Sequence, residues 1–199
     1  MQLNNLKRGL FMLRNEELLV KLRKIISDDS WPISIDDWQN SWSTNCLAFA
    51  LGLDYPDPKE HSYYGSFGSI CSAQHLFTRS EIASSDLIQK TFIETCQLLG
   101  LNCRHISSPN EAQSFEYIIG VFGMYPCMNS VTWRGDPIYQ YDFHLVRRNL
   151  DGTWVHKPGW YDNPEKVEWK CLQLLYPERP LYFAIHKPNG SSSDQQEEH

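Results

Sequence analysis

The chain has 199 residues, of which 41% are hydrophobic and 13% aromatic, and this supplies enough apolar surface for the core of one large domain. Its formal net charge of −6 argues against a protein that grips nucleic acid through phosphate contacts. The six cysteines are scattered without a CxxC pair, and no apolar stretch approaches the roughly 18 residues that span a bilayer. We therefore expect a protein with reduced thiols and no membrane span.

The first half of the chain is predicted to be mainly helical. Residues 14–27 place five aliphatic side chains on one helical stripe. Residues 45–53, NCLAFALGL, are predicted to form a short apolar helix that ends near a glycine. Residues 54–80 are rich in proline, glycine and small polar residues, which indicates an irregular surface segment. Residues 84–101 have the clearest helical pattern and again end near a glycine.

After residue 101 the pattern changes to short β-branched or aromatic runs that are bounded by turns, and such runs predict strands. These runs cover residues 115–125, 142–149, 153–158 and 181–187. Helices followed by an antiparallel sheet indicate an α+β fold. We expect a single domain over residues 1–187, followed by a disordered polar tail over residues 188–199.

Two histidines flank an Asn-Leu-Asp-Gly turn between the second and third of these predicted strands. If the turn consists of residues 150–152, with the glycine at positive φ, Val146 faces His156 across the hairpin. His144 then becomes a diagonal neighbour of His156 on the same face of the sheet. A two-residue Asp-Gly turn would shift the register by one and place the two rings on opposite faces. We expect the three-residue turn.

A histidine pair on a sheet has three interpretations, which are a polar patch, a metal site and a catalytic pair. Cys46 favours the catalytic pair, because it lies in the first turn of a predicted helix, where backbone N–H groups and the helix dipole stabilise a thiolate. A protonated histidine nearby would lower the pKa of this thiol further. The alternative for Cys46 is a buried structural cysteine. Cys71 and His75 have a metal-like spacing, but no second pair follows at a zinc-site distance, so we expect no metal and no cofactor.

Three stretches carry a resemblance to a known family, and they are NCLAFAL (45–51), DFHLVRRNLDGTWVHKPG (142–159) and YFAIHK (182–187). In these stretches the chain resembles the papain-like clan of cysteine peptidases, and within it the compact bacterial branch of NlpC-type endopeptidases and CHAP amidases. The resemblance implies a papain-like fold in which a nucleophile helix packs on an antiparallel sheet.

The resemblance also implies roles for individual residues. Cys46 would be the nucleophile, His144 the general base and His156 the polar third member of a triad. The third member in papain is an asparagine further downstream, so Asn163 and Asp162 are alternatives to His156. An oxyanion hole would combine the backbone N–H of the nucleophile with an upstream amide side chain. The candidates for that amide are Gln39, Asn40 and Asn45.

These observations predict a cysteine hydrolase that acts through an acyl-enzyme, with a protein or peptide as its substrate. The cell-wall enzymes usually have DCSG where this chain has NCLA and are usually exported, and both differences disfavour peptidoglycan. A second interpretation is a catalytically inactive or metal-occupied binding module, and a third is a deamidase or acyltransferase with the same triad. The sequence leaves the oligomeric state open.

The two ends of the sequence bear on its location. Acidic residues precede any apolar run of signal-peptide length, so we expect synthesis in the cytoplasm without a cleaved signal. The polar, Glu-containing C-terminus resembles that of effectors that bacteria inject into host cells. Secretion into a host cell by a route without a signal peptide is therefore a second interpretation of location.

Overall fold

A six-stranded antiparallel sheet forms the centre of the described protein. The computed structural model describes residues 19–38, 46–53, 85–131, 137–158, 163–176 and 179–188. The strands are β1 (Asn102–Ile106), β2 (Tyr117–Val131), β3 (Pro137–Arg148), β4 (Trp154–His156), β5 (Glu165–Lys166) and β6 (Leu181–His186). Their spatial order is β1-β6-β2-β3-β4-β5, and each neighbouring pair is antiparallel.

Helices accompany this sheet, so the expectation of a mixed α+β protein with an antiparallel sheet is confirmed. The described helices are α1 (residues 19–27), α2 (Cys46–Ala50), α3 (Ser85–Leu98) and α4 (Trp169–Leu175). Within the described ranges, none of the helices has the length and apolar character needed to cross a membrane. The start of the first predicted helix (14–18), the segment 54–80 and the tail from residue 189 lie outside these ranges.

Helices α1, α2 and α3 pack on one face of the sheet and form the main core. In α3 the apolar residues recur every three or four positions, which gives the helix one apolar stripe. The buried members of this stripe are Ile88, Phe92 and Cys96, and Leu99 continues it directly after the helix. Phe92 packs against Phe183 of β6 with ring centroids 4.4 Å apart, so the helix predicted from periodicity meets the sheet as that pattern requires.

The opposite face of the sheet carries an aromatic cluster beneath α4. Phe122, Val146 and Leu172 are fully buried there, with Trp154 and Trp169 packed against them. The two tryptophan rings lie 4.5 Å apart. We call this side the aromatic face and the side of the main core the helical face.

Two strands and one α-helix were not predicted from the sequence. Strand β1 is an edge strand with mostly exposed polar side chains, so it lacks an apolar run. Strand β5 has only two residues. Helix α4 lies between β5 and β6 in the chain, so the expectation that all helices precede the strands is wrong at this point. Its apolar stripe spans seven residues, which is too short for periodicity to stand out.

Gly52 ends α2 and explains why the predicted helix ends there. Its φ of +66° lies in the left-handed region, which costs a side chain free energy that glycine avoids. A Cβ atom at this position would also lie 2.6 Å from the Cβ of Pro32. Only glycine therefore lets the chain turn while α2 stays packed against residues 31–32.

Candidate active site

The hairpin between β3 and β4 has the predicted three-residue turn. Gly152 has a φ of +86°, and the N–H of Asn149 donates to the carbonyl of Thr153 at 2.9 Å. Val146 lies directly opposite His156 in the ladder. The predicted register is therefore confirmed.

The two imidazoles meet beneath α4, as this register requires. Nε2 of His144 and Nδ1 of His156 are 2.9 Å apart and share a hydrogen bond. The ring centroids lie 5.1 Å apart with the planes at 86°. His144 is 5% exposed and His156 is 3% exposed, so neither side chain belongs to a solvated polar patch.

Glu165 extends this pair and was missed by the sequence analysis. Strand β5 places Glu165 directly opposite His156, and its Oε1 accepts a hydrogen bond from Nε2 of His156 at 3.1 Å. The carboxylate side chain is 62% exposed, so the chain of contacts runs from solvent into the buried His144. A two-residue strand carries no alternation from which this position could have been found.

Tyr176 covers the ring of His144 and was also missed. It follows the last residue of α4, and its ring stacks on His144 with centroids 4.9 Å apart and an interplanar angle of 13°. Phe122 contacts Tyr176 with a centroid distance of 4.9 Å. Burial and the nearby charge of Cys46 raise the pKa of the Tyr176 phenol to about 12. The phenol is therefore neutral over the physiological pH range.

Burial keeps both histidines neutral. Desolvation, followed by the positive charge of a protonated His156, lowers the pKa of His144 to about 3. Desolvation also lowers the pKa of His156, although its hydrogen bond to Glu165 opposes this effect. At neutral pH His144 is therefore an imidazole and not an imidazolium. His144 therefore differs from the cationic histidine that was considered beside the Cys46 thiol from the sequence.

Cys46 is the first residue of α2 and is half-buried. Helix α2 packs on the helical face, where Leu47 and Leu145 share the main core, whereas His144 points to the aromatic face. The charge of Cys46 contributes to the raised pKa of Tyr176, and the ring of Tyr176 stacks on His144. Cys46 therefore interacts electrostatically with the residue that covers His144.

Arg147 fixes the position of α2 relative to β3. Its side chain is 1% exposed, and its guanidinium donates to the carbonyls of Phe49 at 3.4 Å and Ile33 at 2.9 Å. The guanidinium also lies 5.2 Å from the centroid of the Phe49 ring. Burial lowers the pKa of Arg147 to about 10, which leaves it charged at neutral pH. The helix that begins with Cys46 is therefore tied to the strand that carries His144.

Of the remaining predicted site residues, Asn163 is described by the structure and the others are not. Asn163 is exposed, and the recorded hydrogen bond of His144 goes to His156, which favours His156 over Asn163 as its partner. Asp162, the amide candidates Gln39, Asn40 and Asn45, and the pair Cys71 and His75 lie outside the described residues. Among the residues that are described, no group of three or more His, Cys, Asp or Glu side chains has an arrangement that could hold a metal ion.

Comparison with protein-family models, with curated proteins and with solved structures finds no match to this chain.

Proposed function

We propose that the protein is a cysteine hydrolase of the papain-like type. Cys46 is the nucleophile, His144 the general base and His156 the residue that orients the base. The observation that carries the proposal is the buried contact between Nε2 of His144 and Nδ1 of His156, because it orients the ring of His144 through Nε2 and leaves Nδ1 as the nitrogen for proton transfer. The resemblance of the stretches around Cys46 and the two histidines to the papain-like clan supports the same assignment.

The proposed reaction proceeds through a thioester. Nδ1 of His144 accepts the thiol proton as the Cys46 sulfur attacks the carbonyl carbon of the scissile amide. His144 then gives this proton to the leaving nitrogen as the C–N bond breaks, and the acyl group stays on sulfur. Water attacks the thioester, again losing a proton to His144, and the thiol is restored. Proton transfer requires the sulfur to lie within about 4 Å of Nδ1 in the reacting complex.

The neutral state of His144 is consistent with a general base. A protein that held a permanent thiolate and imidazolium pair would need the buried ring to carry a charge, which desolvation disfavours. Negative charge that develops on the Cys46 sulfur during attack would raise the pKa of His144. Proton transfer would therefore be coupled to the approach of substrate.

For the substrate, the proposal is a protein or peptide, selected in part by residues 54–80. The net charge of −6 disfavours docking on an anionic cell wall or membrane and tolerates basic protein segments. The test incubates the wild-type protein and Cys46→Ala with a proteome and, separately, with purified peptidoglycan. New protein N-termini mark hydrolysis and Gln-to-Glu conversions mark deamidation, and both must be absent with Cys46→Ala. Released muropeptides with an unchanged proteome would overturn the protein substrate.

Single variants test the residue roles. Cys46→Ala and His144→Ala should each reduce turnover by at least about a thousandfold, because nucleophile and base act as one unit. His156→Ala should cost less, about tenfold to a hundredfold, because it removes orientation and leaves proton transfer possible. His105→Ala is the matched control, since this exposed histidine lies on β1 at the far edge of the sheet. If His156→Ala leaves turnover unchanged while Asn163→Ala abolishes it, Asn163 and not His156 is the third member of the triad.

A further inference from the structure

Glu165 is the solvent end of a chain of hydrogen bonds that determines where the protons lie on both histidines. A carboxylate accepts hydrogen bonds and does not donate them. The Glu165 side chain is 62% exposed, and its Oε1 lies 3.1 Å from Nε2 of His156. Nε2 of His156 must therefore carry a proton.

The proton on Nε2 of His156 also determines where the proton of His144 lies. A neutral imidazole carries one proton, so Nδ1 of His156 has none and can only accept. Its partner 2.9 Å away is Nε2 of His144, which must then be the donor. In neutral His144 the proton is thus on Nε2, and the lone pair is on Nδ1.

We propose that Glu165 is a positioning residue that selects the tautomers of His156 and His144 and thereby makes Nδ1 of His144 the basic nitrogen. The effect of Glu165 on catalysis rests on the proposed hydrolase function, whereas its effect on the tautomers does not. Because burial holds both rings neutral, the position of each proton is the variable that Glu165 can control.

Stability does not account for this contact. An ion pair or hydrogen bond with so exposed a carboxylate contributes little to folding. A proton on the wrong nitrogen is far more costly to a general base, because it blocks the atom that must accept the proton. The geometry therefore points to orientation and not to folding as the role of Glu165.

The test reads the tautomers directly in the substrate-free protein. Two-bond and three-bond ¹H–¹⁵N correlation spectra of ¹⁵N-histidine-labelled protein distinguish Nδ1–H from Nε2–H. In the wild type, His144 and His156 should both be Nε2–H tautomers. In Glu165→Leu, His156 should gain the Nδ1–H form, which donates to His144 and turns it into the Nδ1–H form as well. A wild type that already shows Nδ1–H at either ring, or an unchanged Glu165→Leu spectrum, would overturn the proposal.

Two further variants separate positioning from a structural effect. Glu165→Gln keeps a carbonyl oxygen that can accept from Nε2, so it should retain the wild-type tautomers and stay within a few-fold of wild-type activity. Glu168→Leu replaces a nearby exposed glutamate whose side chain makes no helix-capping bond, and it should change neither tautomer. Loss of the wild-type tautomers in Glu168→Leu to the same degree as in Glu165→Leu would contradict a specific role for Glu165.

Kinetics then separate this proposal from the hydrolase assignment. Glu165→Leu should lower kcat at least about tenfold with little change in KM, because the base and not substrate binding is affected. If the wild-type tautomers and their response to Glu165→Leu are as expected but no Cys46-dependent activity exists, the hydrolase assignment fails and the role of Glu165 in proton placement stands. Activity that persists unchanged in Glu165→Leu, while the tautomers change, would overturn its role as a catalytic positioning residue.

Discussion

The two faces of the sheet bury different kinds of side chain. The helical face buries aliphatic and phenylalanine side chains between the sheet and helices α1 to α3. The aromatic face buries two histidines, which a carboxylate and a tyrosine contact, beside tryptophans beneath the seven-residue α4. Burying an ionisable ring costs free energy that an aliphatic side chain does not incur. The helical face therefore contributes more to stability, whereas the aromatic face buries ionisable side chains at a cost in stability.

The largest expected effect is on the helical face. Phe92 is fully buried and packs against Phe183, so Phe92→Ala should lower the free energy of unfolding by about 3–5 kcal/mol through lost burial and a cavity. Urea unfolding measures this loss. The matched control is Gln97→Ala on the exposed side of the same helix, which should change stability by less than about 0.5 kcal/mol. If Phe92→Ala leaves the free energy of unfolding unchanged while substitutions around His144 unfold the protein, the helical face is not the main source of stability.

Acid should weaken the aromatic face first. The pKa of His144 falls from 6.5 to about 3 on folding, and that of His156 also falls, so below pH 6.5 the unfolded chain binds protons that the native protein does not. Above pH 6.5 both histidines are neutral in the folded and the unfolded protein, so the free energy of unfolding has its full value there. As the pH falls below 6.5, protonation of the unfolded chain lowers the free energy of unfolding by up to about 1.4 kcal/mol per histidine for each pH unit. Carboxylates with lowered pKa, such as Glu116, respond only below about pH 4.5.

Urea midpoints between pH 7 and pH 4.5 measure this effect. The wild type should lose stability steadily over that interval, whereas His144→Gln, which removes one of the two buried titrating rings, should lose it with a smaller slope. Parallel curves for the two proteins would contradict the burial of His144 as a neutral ring.

A smaller effect tests the stacking of Tyr176. Removing the ring in Tyr176→Leu should slow acylation of Cys46 about threefold to tenfold, since aromatic stacking of this kind contributes roughly 0.5–1.5 kcal/mol. Tyr176→Phe keeps the ring and should stay within about twofold of wild type. The readout is the rate at which a thiol-directed acylating probe modifies Cys46. If both variants lower the acylation rate of Cys46 equally, the hydroxyl group of Tyr176 and not its ring is responsible for the effect.

The sequence predicted those features that depend on local pattern. The buried stripe of α3 follows from helical periodicity, and the meeting of His144 with His156 follows from the three-residue turn that Gly152 permits. Both depend on residues close together in the chain, so counting along the sequence is sufficient.

The rest depends on contacts between distant residues. Glu165 and Tyr176 reach the histidine pair through a two-residue strand and a short helix, neither of which has a strong pattern. Arg147 gave no sign of burial, because a charged residue in a strand is usually exposed. Its burial becomes favourable through contacts that form only in the folded protein, among them the hydrogen bonds to the carbonyls of Phe49 and Ile33. Tertiary structure, and not local propensity, assembles this part of the site.

The most direct test of the central claim compares two cysteines in one protein. Cys171 is exposed on α4 and is the reference thiol in this experiment, whereas Cys46 is half-buried. With an iodoacetamide probe at pH 6 to 7, read by peptide mass spectrometry, Cys46 should react faster than Cys171 despite its lower exposure, because His144 accepts the thiol proton as the sulfur attacks the probe. His144→Ala should slow the reaction of Cys46 alone. Faster labelling of Cys171, or a Cys46 rate that does not respond to His144→Ala, would contradict Cys46 as a nucleophile activated by His144.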